Sequence, residues 1–126
     1  MGYRTVATGE MELVPDRPCE LRRLTEAAGL ENVSVNRYSV DPGEEIPLAY
    51  HYHDEQEEAF YVISGGIEIE TPEGTYEVGA DELFGAEPDS PHRAYCPEDA
   101  TETAEVLAIG APQTGSGDVH AYEPEE

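Results

Sequence analysis

The sequence predicts an all-β fold, a sandwich or barrel of many short strands, and two observations carry that reading. Turn signals built from proline, glycine and acidic residues recur about every ten residues. Between them the segments are short, and apolar and polar residues alternate with the period of two that half-buried strands require. No internal repeat is visible, and the length suits one domain.

Residues 21–30 form the one stretch with helical character, with Thr25 as a candidate N-cap and Gly29 as a stop. They read equally well as a strand over 21–24 followed by one turn. Residues 33–35 and 38–40 read as strand, closed by Asp41-Pro42-Gly43. The β-rich run 60–63 ends at Ser64-Gly65-Gly66, which suits a tight hairpin. Residues 67–70 alternate until Thr71-Pro72-Glu73-Gly74, and Tyr76 and Val78 mark a further short piece before Gly79-Ala80-Asp81. Leu83-Phe84, 92–96 and 104–109 complete the series. Residues 111–117 read as loop and 123–126 as a solvated tail. The expected organisation is a single domain over 1–126, with its strands within about 33–109 and a loop and acidic tail over 111–126.

Charge narrows the function classes. Acidic residues number 29 against six arginines and no lysine, a formal net charge of −23. Such a surface repels phosphate backbones and anionic headgroups, so neither nucleic acid nor membrane is an expected partner. Disorder also combines high charge with low hydrophobicity. Here, however, the acids interleave with alternating apolar residues and turn signals, which points to a folded protein adapted to concentrated salt, a halophile's protein. No long apolar run and no basic-then-apolar leader is present, so a cytoplasmic protein is expected. Cys19 and Cys96 are then expected as reduced, buried thiols. The absence of lysine excludes lysine-based mechanisms.

Three of the four histidines stand where a small metal site would need them. His51-Tyr52-His53 is a His-x-His pair, which on a strand projects both imidazoles from one face. A carboxylate follows five residues after His53, at Glu58, and His92 adds a third imidazole. Glu57 competes for the carboxylate role. Parity favours Glu58, which shares a strand face with Phe60 and Val62, while Glu57 faces solvent. Asp54, Glu55 and Gln56 form the turn between ligands, and His120 is read as a surface residue. His92, Ala94 and Cys96 share a face, so Cys96 is either a small core residue or a thiol near the site. Tyr50, Tyr52 and Arg93 fall on the opposite faces of their strands, outside the pocket and facing a partner subunit.

With these residues in view the chain resembles the cupins. Their first motif appears as Gly43, His51-Tyr52-His53, Glu58 and Gly65, with seven residues between Gly43 and His51 where the usual pattern has five. The second is degraded: Gly79-Ala80-Asp81 leads to Pro88-Asp89-Ser90-Pro91-His92, with Ser90 in place of a glycine and Cys96 in place of an asparagine. The resemblance covers roughly 33–109. It implies a double-stranded β-helix (jelly-roll) barrel with a metal held by His51, His53, Glu58 and His92, and a homodimer formed through edge strands. Three neutral imidazoles and one carboxylate suit iron or manganese, with nickel, zinc and copper also compatible. Two positions on a six-coordinate ion would remain for a small-molecule substrate or ligand. Three functions are therefore expected in turn: a metal-dependent dioxygenase, isomerase or lyase acting on a small organic substrate; a non-catalytic binding or sensing barrel; and a barrel without a working site. The substrate is not readable from the sequence.

Overall fold

The cleanest alternation in the chain, small apolar residues at every second position over Ala104–Ala111, becomes the strand around which the fold is built. Ala104, Val106, Ala108 and Gly110 turn inward and their neighbours outward. The computed structural model describes residues 2–46, 50–114 and 116–123. Its strands are β1 (Glu20–Arg23), β2 (Ser34–Val40), β3 (His51–His53), β4 (Glu57–Ser64), β5 (Gly66–Thr71), β6 (Gly74–Gly79), β7 (Leu83–Ala86), β8 (Arg93–Tyr95), β9 (Ala104–Ala111) and β10 (Val119–Ala121).

Every strand pairing is antiparallel. One layer has the order β1-β2-β9-β4-β7, with β9 paired to β2 along the whole of Ser34–Val40 and to β4 on its other side. The second layer is β6-β5-β8, and single bridges from His92 to His51 and from Tyr95 to Glu45 carry it on toward β3, which pairs with β10. The two faces bury one core, in which Val40, Val62, Ile69, Val106 and Cys96 are the largest fully enclosed side chains. Each aliphatic member contributes about 1.5–3 kcal/mol relative to an exposed position. The all-β architecture is the one the alternation predicts, and the two-layer antiparallel jelly roll is the form that the cupin resemblance implies. Among the described residues no helix is long and apolar enough to cross a membrane.

The chain passes from β4 in one layer to β5 in the other through Gly65, which has φ +75°. A Cβ there would lie 2.7 Å from the Thr103 carbonyl oxygen and 2.8 Å from Ala104 Cα. Only glycine fits both the backbone conformation and the space.

Two local features settle or correct the sequence reading. Of the two readings of 21–30, the strand followed by a turn holds. The open edge of β2 takes β1 as a partner, and the Thr25 hydroxyl, instead of capping a helix, accepts from Val35 N at 2.8 Å and lies 3.3 Å from Val35 O. Residues 111–123 are not simply loop and tail. Ala111 ends β9, a 3₁₀ turn spans Ser116–Asp118, and β10 pairs with the His-x-His strand in the register Val119↔His53, His120↔Tyr52, Ala121↔His51. The strand framework therefore reaches beyond 33–109 at both ends. Residues 124–126 of the expected tail lie outside the described residues.

Candidate metal centre

His51 and His53 leave β3 on one face, as their spacing requires, and β3 lies beside His92 through a reciprocal pair of backbone hydrogen bonds. His51 N donates to His92 O at 3.3 Å, and His92 N to His51 O at 2.9 Å. Glu58 comes from the opposite layer, where it sits opposite Ala86 on β7 and Gly110 on β9. The alternation of β4 turns Glu58, Phe60 and Val62 inward and leaves Glu57 exposed. All three imidazoles reach one carboxylate oxygen: Glu58 Oε1 lies 3.0 Å from His53 Nε2, 3.0 Å from His92 Nε2 and 3.8 Å from His51 Nε2. Ligand atoms of His51, Glu58 and His92 all lie within 4.8 Å of one another. His53 reaches the same oxygen but stands outside that mutually close set.

The arrangement has an electrostatic consequence. His92 is 2% exposed, and its Nδ1 lies 2.8 Å from the Ser90 carbonyl oxygen. A carbonyl only accepts, so Nδ1 carries the proton in that contact. In a neutral ring Nε2 then presents a lone pair to a carboxylate oxygen, acceptor against acceptor. A cation between them resolves the conflict, either a proton that makes the ring an imidazolium or a metal ion that both groups ligate. The donor set, nitrogen and carboxylate oxygen around one point, fits a divalent transition metal.

Burial pushes the Glu58 carboxyl up, but the three imidazoles gathered at its Oε1 outweigh it and hold the group well below the usual carboxylate range. The hydrogen-bonded Glu58 carboxylate pushes His53 above its ordinary value, against burial, and Asp118 adds to the rise.

Asp118, just before β10, organises the loop between the ligands. Its Oδ1 accepts from Asp54 N and Glu55 N, each at 2.9 Å, and its Oδ2 from Gln56 N at 3.3 Å and the Thr114 hydroxyl at 3.1 Å. His53 Nδ1 lies 3.4 Å from the same Oδ2, without hydrogen-bond geometry. Gln56 is 7% exposed, donates to Pro112 O at 3.1 Å, and lies flat on Gly110, where a Cβ would come within 2.6 Å of its carboxamide. Neither residue was singled out by the sequence reading. Gln56 had a faint signal, the one amide in the acidic run 54–58, whereas Asp118 acts through a strand pairing that alternation does not encode.

The remaining residues fall into place around this centre. Cys96 is a core residue, 1% exposed, its thiol 3.9 Å from the Glu102 carbonyl oxygen, and burial pushes it up. His120 stays on the surface, 2.6 Å from Asp54 Oδ2, with its ring stacked on Tyr52. Tyr50 packs on Tyr122. The outward aromatic face of 50–52 is therefore met by the chain's own C-terminal segment, where a partner subunit was expected. Arg93 points outward as expected and pairs with Glu45 and Glu70.

The cluster forms the inner end of a cavity of about 680 Å³ that opens between the layers. Phe60, Ile46 and Ala94 wall its buried part, while Arg17, Arg23 and Glu26 stand at the accessible end.

A small antiparallel jelly roll with a histidine–glutamate cluster at the base of its cavity defines a class of protein, and sequence comparison agrees with it. The cupin domain family model matches residues 36–110, well over half of the chain, and the protein belongs to that family. No curated protein matches the chain significantly. Among solved structures, the chain is similar to a proposed sugar phosphate isomerase from Acidithiobacillus ferrooxidans (27% identity, TM-score 0.66), over 76% of this chain and 62% of that one. The polyketide cyclase RemF from Streptomyces resistomycificus has the same fold at 21% identity and TM-score 0.77, covering 98% and 87% of the two chains. So does Streptomyces PAC13, solved with uridine, at 18% identity and TM-score 0.71, covering 100% and 95%.

Proposed function

We propose that this cupin is a divalent-metal-dependent enzyme, of isomerase or lyase type, acting on a small oxygen-bearing organic molecule. The observation that carries the reading is the convergence of three imidazole nitrogens on Glu58 Oε1, with the His92 tautomer set by the Ser90 carbonyl. His51, His53, Glu58 and His92 are the residues that would hold the ion. When bound there, a divalent metal supplies Lewis acidity to a carbonyl, carboxylate or hydroxyl oxygen of the substrate.

The chain's own residues do the rest. Glu58 presents a carboxylate to the three imidazoles, because its carboxyl is held well below the usual range. Asp118 fixes the 54–56 turn, and with it the position of His53 between two carboxylates. Phe60, Ile46 and Ala94 keep the inner cavity apolar, which strengthens electrostatic contacts made there. Tyr38 lines the same cavity, and burial, with Cys19 and Glu58, pushes its hydroxyl up to about 12, so it faces a ligand as a neutral donor. Similarity to a proposed sugar phosphate isomerase and to a polyketide cyclase supports a reaction at an oxygenated carbon skeleton.

The test is metal analysis of protein purified after growth with iron, manganese, nickel and zinc, followed by a screen of small hydroxy-acid, sugar and keto substrates with and without chelator. The expected result is one ion per chain and turnover that chelator abolishes. A chain that binds no metal under any of these conditions is not a metal-dependent enzyme. A chain that binds ligands without turning them over is the non-catalytic barrel.

A further inference from the structure

With 29 acids against six arginines, this protein presents a field that keeps small anions away. Yet two of the six arginines, Arg17 and Arg23, line the accessible end of the cavity whose inner end holds the histidine–glutamate cluster. Arg37 and Arg93 are in ion pairs, with Glu105 and with Glu45 and Glu70. Among the described residues neither Arg17 nor Arg23 has a carboxylate within ion-pair distance, although Glu26 lines the same opening. Tyr38 lines the same cavity from β2. Asn36 and Ser34 add neutral polar groups along the same β2 wall.

We propose that Arg17 and Arg23 form an anion subsite at the open end of this cavity, so that the molecule it takes carries a carboxylate or phosphoryl group at the end remote from the histidine cluster, with Tyr38 donating to an oxygen between the two. The proposal deepens the reading of the cavity as the substrate site and rests on it in that respect. The guanidinium's planar fork suits both anions, and bidentate geometry makes it selective for them over neutral oxygen. A cavity of about 680 Å³ is of the size that small-molecule sites have. In so acidic a chain, two cavity arginines without acidic partners supply the local positive field that an anionic ligand needs to enter.

The test uses full-length protein, metal-loaded and chelator-stripped, titrated calorimetrically at low ionic strength with inorganic phosphate, glycerol 3-phosphate, glycerate and glycerol. Variants are Arg17→Gln/Arg23→Gln, Arg17→Lys/Arg23→Lys and, as a distant control, Arg37→Gln, each checked for an unchanged thermal melt. Glycerol 3-phosphate, glycerate or both should bind wild type at least about tenfold more tightly than glycerol. Whichever binds identifies the anion. The glutamine pair should lose about that tenfold, the lysine pair should retain part of it, and Arg37→Gln should match wild type. Equal binding by wild type and the glutamine pair, or no preference for the anionic probes over glycerol, overturns the subsite. Failure of the metal reading looks different: no ion is bound, while arginine-dependent anion binding persists in stripped protein.

Discussion

Gly65 should be the glycine whose replacement costs this fold most. An alanine at φ +75° occupies a left-handed conformation that costs an L-residue about 1–2 kcal/mol. Its Cβ would also meet the Thr103 carbonyl oxygen at 2.7 Å and Ala104 Cα at 2.8 Å. Both are backbone atoms at the start of β9, so no side-chain rotation relieves the contact, and forced displacement of a packed strand costs roughly 1–3 kcal/mol. Reduced freedom of the unfolded chain returns about 0.4–1 kcal/mol. The expected net loss for Gly65→Ala is about 2–4 kcal/mol, a large part of the ~5–15 kcal/mol that stabilises a domain. For a chain this size that is roughly an 8–15 °C fall in Tm. Gly85→Ala is the control: nothing lies within 4 Å of the added Cβ and the backbone there is not left-handed, so neither cost applies. Urea unfolding followed by circular dichroism reads both variants. If Gly65→Ala is no less stable than Gly85→Ala, the chain does not approach β9 closely at Gly65.

Asp118→Ala should leave the barrel folded and weaken metal binding about 10–100-fold, as loss of a supporting carboxylate does elsewhere. Titration calorimetry with manganese checks it, and wild-type affinity would show that the 54–56 turn holds itself. Glu58→Gln should lower metal affinity far more than Glu57→Gln, and equal losses would contradict the inward parity of β4. In metal-free protein His53 contributes stability below its ordinary value of 6.5, and that contribution is lost as pH rises through its raised value. Glu58 contributes above 4.5 and loses that contribution only as pH falls through its depressed value. The stability difference between wild type and His53→Asn should therefore shrink as pH rises past 6.5, while manganese affinity grows over the same interval because protons no longer compete. A difference that widens with pH would reverse the assigned sign. Finally, at a net charge of −23, stability should climb between about 0.1 M and molar KCl, and a flat response would remove the salt-adaptation reading.

What could be read from the sequence, and what could not, divides along one physical line. Strand alternation is local, so the inward face of β4, and with it the choice of Glu58 over Glu57, follows from counting residues. The same counting sets His51 and His53 on one face of β3. Strand register is not local. Alternation along 119–121 says nothing of the pairing that lays Val119 against His53 and brings Asp118 to the turn before β4. Nor does it say that β1 will take the edge of β2 and bring Arg23, together with Arg17 ahead of it, to the mouth of the cavity. The centre lies where both kinds of information meet. Two of its histidines belong to strand positions legible by parity, but His51 and His92 are neighbours only through the backbone bridge that links β3 to the segment before β8. Glu58 faces them across the core from the opposite layer. The cluster thus spans the junction of the two layers, so any cation seated there ties β3, β4 and the segment before β8 together and couples ligand binding to the integrity of the barrel.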